Sequence, residues 1–399
     1  MVLKLTDIPF FPSYIDGQSD HQFMAGAWAQ GPFARDKLGV ISAFSAEHMA
    51  IFTDERWTRQ IELEGMRASG VTRGAMFDFV SNSLLFSNGQ AHRNRRGPLA
   101  RSFARPVLAA LREDVARRTD RMAFGLKGAG RVDFLRDFAG PLPAQVIASV
   151  LGIPENDADS FAGHVYSAIR GLSVVSAEIR AESDADLDAI NRYVDDLLAV
   201  RRPDEAGDFL SQYLAKTEDG PMSAEEIRCQ IVGLVLAGSD TTRGALASTL
   251  SQLLQHRDQW EAFCADPDGL IDGVVNEGLR FDPVIGSLPR VTLETREVDG
   301  VKFPRQTFVA VSMLTSLRDP QVYADPDRFD VFRSDHPRLH PVFGSGPHRC
   351  LGEILARIEL EEALKALARH LPHLAMDGPP PVMRGYGAVR SISDLFVSA

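Results

Sequence analysis

The chain is poor in cysteine, which excludes two classes of small, cross-linked fold. Its 399 residues include three cysteines, Cys229, Cys264 and Cys350, at spacings unlike CxxC. An odd number of cysteines at such spacings predicts neither a disulfide framework nor a zinc knuckle. We therefore expect thiols in a reducing compartment.

Basic charge and long apolar runs are also scarce. Lys plus Arg number 43 against 54 Asp plus Glu, a net charge of −11, so no nucleic-acid partner is expected. The longest candidate for a membrane span, residues 231–238, is less than half of the roughly 20 apolar residues that a spanning helix needs. The first residues, MVLKLTDIPFFPSYIDG, lack the features of a signal peptide. We expect no membrane association and a cytoplasmic location.

The composition is that of a globular protein with a large core. Hydrophobic residues make up 44% and charged residues 24% of the chain, and no Pro/Ser/Gly-rich linker divides it, so residues 1–399 are predicted to form a single domain. Helical patterns dominate about residues 90–280 and 350–370, and strand-like patterns occur at about 40–60, 290–315 and 385–398. The predicted fold class is mainly α with a small β region.

One helix stands out for its length and burial. Ser223 and Glu226 have the spacing of a capping box, and an almost unbroken apolar run follows them. The pattern predicts a buried helix that continues to about His256. Gly238 and Thr241 lie within it and are residue types that weaken or distort a helix.

Cys350 lies in a glycine-rich loop, FGSGPHRCLG at residues 343–352, just before the last predicted helix. A helix N-terminus favours a thiolate, which serves as a nucleophile, a zinc ligand or a haem ligand. A nucleophile would use His348 as its base, but side chains two residues apart on a tight loop rarely meet in this way. Zinc would need two further ligands at a recognised spacing, and Arg349 stands where a GxGxxG nucleotide loop needs Gly. The haem hypothesis remains.

Three separated motifs occur along the chain: AGSDTT at residues 237–242, EGLR at 277–280 and the cysteine loop at 343–352. In type and order they resemble those of the cytochrome P450 family, in particular its bacterial soluble, ferredoxin-dependent members. The resemblance covers nearly the whole chain and implies the triangular, helix-rich P450 fold enclosing haem b. Cys350 would be the fifth ligand of the iron, donating electron density that favours O–O cleavage. Phe343, Gly344 and Gly352 would belong to the same haem-binding loop.

The resemblance also assigns residues that support the haem. Glu277, Arg280 and Arg328 would form a buried ion network that holds the cysteine loop. Residues 92–96, HRNRR, resemble the family's HxxxR element. The donors to the haem propionates, of types suited to carboxylates, would be His92, Arg96, Arg290 and His348.

On the opposite side of the haem, Gly238 and Thr241 would open a groove for dioxygen. Thr241 would hydrogen-bond to the bound oxygen and Asp240 would relay protons. The resemblance thus implies a monooxygenase that hydroxylates, or otherwise oxidises, a small and mainly apolar molecule, such as a terpenoid, aromatic or alkyl-ring compound. The alternative is a non-enzymatic haem–thiolate protein that binds a gas or other ligand, which would need no proton relay.

Electrons would come from a ferredoxin and its ferredoxin reductase, because no flavin or iron–sulfur module follows within the chain. A basic patch formed by Arg95, Arg101, Arg349 and Arg357 is expected to bind the ferredoxin. The expected substrate contacts are mostly apolar. They are Phe77, Phe79, Phe86, Ile169, Leu172, Leu236, Val284, Ile285 and Ile392.

Overall fold

The computed structural model describes residues 2–103, 105–172, 176–201 and 209–399. Its helices are α1 Asp20–Trp28, α2 Ala46–Phe52, α3 Glu64–Ala68, α4 Ala75–Asn82, α5 Gly89–Ser102, α6 Arg105–Gly125, α7 Pro141–Leu151, α8 Glu155–Arg170, α9 Ala177–Ala199, α10 Phe209–Ala215, α11 Ala224–Gln255, α12 Arg257–Ala265, α13 Pro267–Phe281, α14 Met313–Ser316 and α15 Glu353–His370. Its strands are β1 Phe33–Arg35, β2 Ile41–Ala43, β3 Thr58–Gln60, β4 Arg131–Asp133, β5 Ser287–Thr292, β6 Arg296–Val298, β7 Val301–Phe303, β8 Phe308–Ser312, β9 Ala375–Met376, β10 Met383–Arg384, β11 Ser391–Ile392 and β12 Phe396–Ser398. Within the predicted helical part, residues 104, 173–175 and 202–208 lie outside the described residues.

The fold class predicted from the sequence is confirmed, and the long helix α11 has nearly the predicted bounds. The hydroxyl of Ser223 accepts a hydrogen bond from the Glu226 N–H at 3.1 Å, and the Glu226 carboxylate accepts one from the Ser223 N–H at 3.0 Å. This is the capping box that the sequence indicates. Ile231 and Leu250 of α11 are fully buried, so burial of apolar side chains stabilises the helix along its length.

The chain divides into two compact units. The first comprises Met1–Gln60, Gly244–Cys350 and Pro372–Ala399, and the second comprises Ile61–Arg243 and Leu351–Leu371. The first unit holds a five-stranded sheet in the order β1-β2-β8-β5-β3, in which β2 and β8 run parallel and the other neighbours antiparallel. Strands β6 and β7 form a hairpin whose turn residues, Asp299 and Gly300, both have positive φ, at 49° and 73°. Two successive positive φ angles suit a tight hairpin turn.

The last strand-like region, predicted at about residues 385–398, contributes to two separate strand pairs. In the structure β10 pairs with β11, so the hairpin spans residues 383–392, whereas β12 pairs with β9. Exposed Ser393 and Asp394 separate β11 from β12, and Leu395 and Val397 are fully buried. The apolar alternation therefore continues across two strands that have different partners.

The second unit is almost entirely helical. Leu142, Val146 and Leu151 of α7 are fully buried, and Pro141 occupies the first helical position. The helix ends at Gly152, whose φ of 66° forms a left-handed C-terminal stop. Across the described part of the chain, no helix has both the length and the apolar character needed to cross a membrane.

Candidate active site

The cysteine loop folds back on itself immediately before α15. The Cys350 N–H donates to the Phe343 carbonyl at 2.7 Å, and the Gly344 N–H donates to the Pro341 carbonyl at 2.8 Å. Gly344 has a φ of 73° and Gly346 a φ of 60°, a region that glycine enters without steric cost. Cys350 is exposed at the end of this loop, and Gly352 caps α15 at its N-terminus.

The three thiols differ in their suitability as a metal ligand. Burial raises the pKa of Cys229 to about 12 and that of Cys264 to about 11, which disfavours the thiolate at either position. Cys350 is the exposed cysteine of the three. An exposed sulfur in a glycine-rich loop that precedes a helix fits the thiolate ligand of an iron porphyrin.

Hydrogen bonds tie this loop to the rest of the first unit. The Arg349 guanidinium donates to the Gly344 carbonyl at 2.8 Å, and the Ser345 hydroxyl donates to Oγ1 of Thr53 at 2.8 Å. His340, just before the loop, has its Nε2 3.0 Å from the carbonyl of Asn276 in α13. The loop is therefore held from α13 as well as from its own main chain.

A buried ion network on α13 organises the segment that leads to the loop. Glu277 and Arg280 are both fully buried, and Nε and Nη2 of Arg280 donate to the two Glu277 carboxylate oxygens at 2.7 and 2.8 Å. Nη1 of Arg280 donates to the carbonyls of Leu317 and Pro326 at 3.0 and 2.8 Å. The Asp330 N–H donates to Glu277 Oε1 at 2.7 Å. A bidentate Arg–carboxylate pair with all these hydrogen bonds fixes the position of the irregular segment.

The expectation that Arg328 is the second arginine of this network is wrong. Its side chain is 68% exposed and lies 3.8 Å from Asp330, and only its main-chain carbonyl accepts a bond from Arg280, at 3.1 Å. Arg333 takes the place, with its side chain 6% exposed and Nε 3.1 Å from Glu277 Oε2. Phe329 and Val331 are also buried, so every second residue from 329 to 333 faces inward. That alternation was the sequence signal for Arg333.

Arg290 and His348 both lie near Glu55. Glu55 was not among the residues predicted from the sequence. Arg290 is buried and donates to the Gln60 side-chain oxygen and to the Pro289 carbonyl at 2.9 Å. Burial lowers the pKa of Arg290 to about 10, although the nearby Glu55 carboxylate acts in the opposite direction. His348 Nε2 lies 3.3 Å from Glu55 Oε1. A carboxylate from a ligand would stabilise this buried cation, as expected for a propionate donor.

His92 and Arg96 lie one turn apart on α5 in the second unit. His92 is 3% exposed, and burial together with the positive charges of Arg96 and Arg93 lowers its pKa to about 4. A buried imidazole beside two cations favours an anion as its neighbour. The pair therefore fits the predicted propionate role.

Arg95, on the same helix, is not part of an exposed basic patch as expected. It is buried, and its Nη2 lies 2.7 Å from Glu226 Oε1 in the capping box of α11. Its Nη1 donates to the carbonyls of Ser81 and Ser83 at 3.2 and 3.3 Å. Arg95 holds α5 against the start of α11, whereas Arg93 and Arg101 are exposed.

The middle of α11 is open on one side, although the helix is buried on either side of this point. Ala237 is exposed and Gly238 and Thr241 are half-buried. Thr241 Oγ1 donates to the Ala237 carbonyl at 2.8 Å. The expectation for Gly238 needs correction, because a Cβ added there would lie 3.1 Å from Ile147 Cδ1. Gly238 thus permits close packing of α7 on α11, and the opening is formed at Ala237 and Thr241.

Asp240 forms an ion pair with an arginine on its own helix. Arg243 Nη2 lies 2.6 Å from Asp240 Oδ1, and the Arg243 guanidinium carbon lies 4.9 Å from the centre of the Tyr166 ring. The Tyr166 hydroxyl donates to the Gly140 carbonyl at 2.8 Å. The carboxylate is therefore held beside the opening through a defined partner.

The predicted substrate residues fall into two groups. Phe79, Leu236 and Val284 are 3–5% exposed. The ring of Phe79 packs at Gly233 and Val284 packs at Gly244, so both serve as packing residues of their own units. The remaining candidates are half-buried and can contact a ligand. They are Phe77, Phe86, Ile169, Leu172, Ile285 and Ile392.

Comparisons with known proteins show which family the chain resembles. The family model described as Cytochrome P450 matches residues 269–393. The plant-inducible cytochrome P450-pinF1 of Rhizobium radiobacter is 38% identical, over 94% of this chain and 89% of its own. Luteothin monooxygenase of Streptomyces thioluteus is 32% identical, over 92% and 90%. The crystal structure of CalO2 has a TM-score of 0.86 and 28% identity, over 94% of each chain.

The chain belongs to the cytochrome P450 family. It is a haem–thiolate monooxygenase whose cofactor is haem b. The alternative of a non-enzymatic ligand-binding protein receives no support from these relatives.

Proposed function

We propose that residues 1–399 act as one catalytic domain in which Cys350 Sγ ligates the haem iron. The observation that carries this proposal is the exposed Cys350 thiol in a loop held from α13, while burial disfavours the thiolate at Cys229 and Cys264. His92 and Arg96 would donate hydrogen bonds to the haem propionates, and Arg290 and His348 would do the same. Glu277, Arg280 and Arg333 would keep the loop in place without touching the haem.

The bound haem supplies the activation of dioxygen that, with two electrons and two protons, places one oxygen atom in the substrate and releases the other as water. The Thr241 hydroxyl donates its hydrogen bond to the Ala237 carbonyl in the structure. During catalysis this hydroxyl would donate to oxygen instead. Asp240 would resupply the proton from solvent through its carboxylate. Arg243 orients the Asp240 carboxylate between proton transfers.

We further propose a cytoplasmic enzyme that receives its electrons from a ferredoxin reduced by a ferredoxin reductase. Arg101 is exposed, Arg349 is part of the cysteine loop itself, and Arg357 of α15 lies 3.7 Å from Glu353 with 23% of its side chain exposed. We propose these three arginines, without Arg95, as residues that bind the ferredoxin. Local positive charge of this kind can bind an acidic partner in spite of the net charge of −11.

The half-buried apolar residues support a mainly apolar substrate. Relatives of this chain are named for luteothin and for position C26 of steroids. We infer a small or medium-sized organic molecule whose recognition is dominated by apolar contacts, with Ile285 and Ile392 among them.

The experiment is a turnover assay of the haem-loaded protein with a surrogate ferredoxin, its reductase and a library of apolar compounds. Compounds that shift the haem from low to high spin are tested for NAD(P)H consumption, and the products are analysed after reaction in ¹⁸O₂. We expect one ¹⁸O atom per oxidised product. A protein that binds haem and carbon monoxide normally but consumes no NAD(P)H with any spin-shifting compound would contradict the proposal.

A further inference from the structure

Arg390, which no sequence motif singles out, is a fully enclosed charge between two loop segments. Its side chain is 1% exposed and forms an ion pair through Nη1 with Oδ1 of Asp282. Nε donates to the Gly385 carbonyl at 2.8 Å, and Nη1 also donates to the Pro283 carbonyl at 2.9 Å. Nη2 donates to the Met383 carbonyl at 3.3 Å. One guanidinium therefore binds main-chain atoms on both segments.

The two segments that Arg390 joins are residues 282–286, which follow α13, and the turn at 385–390 between β10 and β11. The Arg390 N–H donates to the Val284 carbonyl at 2.8 Å, and the Gly286 N–H donates to the Ala388 carbonyl at 3.0 Å. A Cβ added at Gly286 would lie 2.4 Å from the Gly387 carbonyl oxygen. The segments are thus in main-chain contact, with Ile285 bridged to Val389.

Two residues at the start of α1 also bind the segments that Arg390 joins. His21 Nε2 lies 3.0 Å from Asp282 Oδ1, and Asp20 Oδ2 accepts a bond from the Gly385 N–H at 2.8 Å. Burial opposes ionisation of Asp282, but the hydrogen bond from His21 and the charge of Arg390 outweigh it and lower the Asp282 pKa to about 2. Asp282 is therefore a carboxylate at neutral pH, and the Arg390 charge is compensated.

We propose that Arg390 is a positioning residue that sets the place of Ile285 relative to the 385–390 turn and thereby determines which substrates the enzyme accepts. The inference rests on the proposed function, in which Ile285 and Ile392 contact the substrate. Such short segments have few ladder hydrogen bonds of their own, so their main chain depends on the fixed fork of a guanidinium. Lysine, with a single ammonium group, cannot make the same set of bonds.

The test uses the haem-loaded enzyme and two probes of the haem spectrum, imidazole and 1-dodecylimidazole. Imidazole reports on the iron alone, whereas the dodecyl chain also contacts the surrounding apolar side chains. We compare Arg390→Lys and Asp282→Asn with the wild type and with Arg384→Lys, a matched control on the same hairpin whose side chain is exposed.

We expect Arg390→Lys and Asp282→Asn to weaken 1-dodecylimidazole binding about tenfold while imidazole binding changes by less than about twofold. Arg384→Lys should change neither. The proposal would be overturned if each probe bound Arg390→Lys as tightly as it binds the wild type. It would also be overturned if Arg390→Lys weakened the binding of both probes by the same factor. Failure of imidazole to shift the spectrum of the wild type would instead refute the proposed haem site. If Arg390→Lys does not fold, the measurement on Asp282→Asn decides by the same criteria.

Discussion

The guanidinium of Arg333 lies 3.1 Å from the carboxylate of Glu277, and both side chains are buried. With Arg280, it encloses a carboxylate that sits on α13 and also accepts the Asp330 N–H. The irregular segment before the cysteine loop is therefore built around one buried negative charge. Arg328, five residues earlier, contributes its carbonyl and not its side chain.

Replacing Arg333 with Leu should destabilise the protein by about 3–5 kcal/mol, because it leaves part of the Glu277 charge without a partner. The haem content of the purified protein should fall with it. Arg328→Leu is the matched control and should remain within about 0.5 kcal/mol of the wild type. Urea unfolding and haem quantification measure both quantities. Greater damage from Arg328→Leu than from Arg333→Leu would show that the network is assigned incorrectly.

Replacing Asp240 with Asn should slow product formation by about 10²-fold, because an amide cannot resupply the proton. Haem content and carbon monoxide binding should not change. The rate of single turnover in H₂O and D₂O measures the effect, with a larger solvent isotope effect expected in the variant. Unaltered product formation would remove Asp240 from the proton path.

Replacing Thr241 with Ala should separate electron consumption from product formation. NAD(P)H oxidation should continue, with the electrons recovered as hydrogen peroxide, because the hydroxyl that directs the proton is absent. Thr241→Ser keeps the hydroxyl and should restore most of the product yield. Similar yields from the Ala and Ser variants would argue against a role for Oγ1.

His92 predicts a pH dependence of stability in the haem-free protein. Its pKa is lowered from 6.5 to about 4 in the folded chain, so the unfolded chain binds a proton in this window that the folded chain does not. Stability should therefore fall as the pH decreases from about 6.5 to about 4. Urea unfolding at several pH values should show a shallower dependence for His92→Gln. Parallel curves for the two proteins would contradict the assigned environment of His92.

The reactivity of the thiols should depend on haem. Cys229 and Cys264 have raised pKa values and should react slowly with iodoacetamide at neutral pH in either form. Cys350 is exposed and should be alkylated in the haem-free protein but protected in the loaded one. Peptide mass spectrometry measures each site separately. Equal labelling of Cys350 in the two forms would conflict with its ligation.

Features that depend on local pattern were predictable from the sequence. The bounds of α11 follow from its capping box and its apolar run, and the turn at Asp299-Gly300 follows from residue types that tolerate positive φ. Cys350 became the candidate ligand because its loop has a distinctive residue order. These elements are determined by neighbours in the sequence.

Features that depend on side-chain direction in irregular segments were not predictable in the same way. Arg328 offers its carbonyl to Arg280, while its side chain is 68% exposed. Arg95 was expected to belong to the ferredoxin-binding patch, although it lies on the same helical stripe as His92 and Leu99, both buried. Arg390 has no motif, and its partners come from distant segments of the chain. Such contacts are set by tertiary structure.

The carbon monoxide spectrum of the reduced protein tests the central claim most directly, with wild type and Cys350→His compared side by side. We predict the red-shifted band of a thiolate-ligated haem for the wild type, and for Cys350→His a protein that retains haem but lacks this band. Absence of the band from the wild type, or its persistence in Cys350→His, would contradict Cys350 as the ligand of the iron.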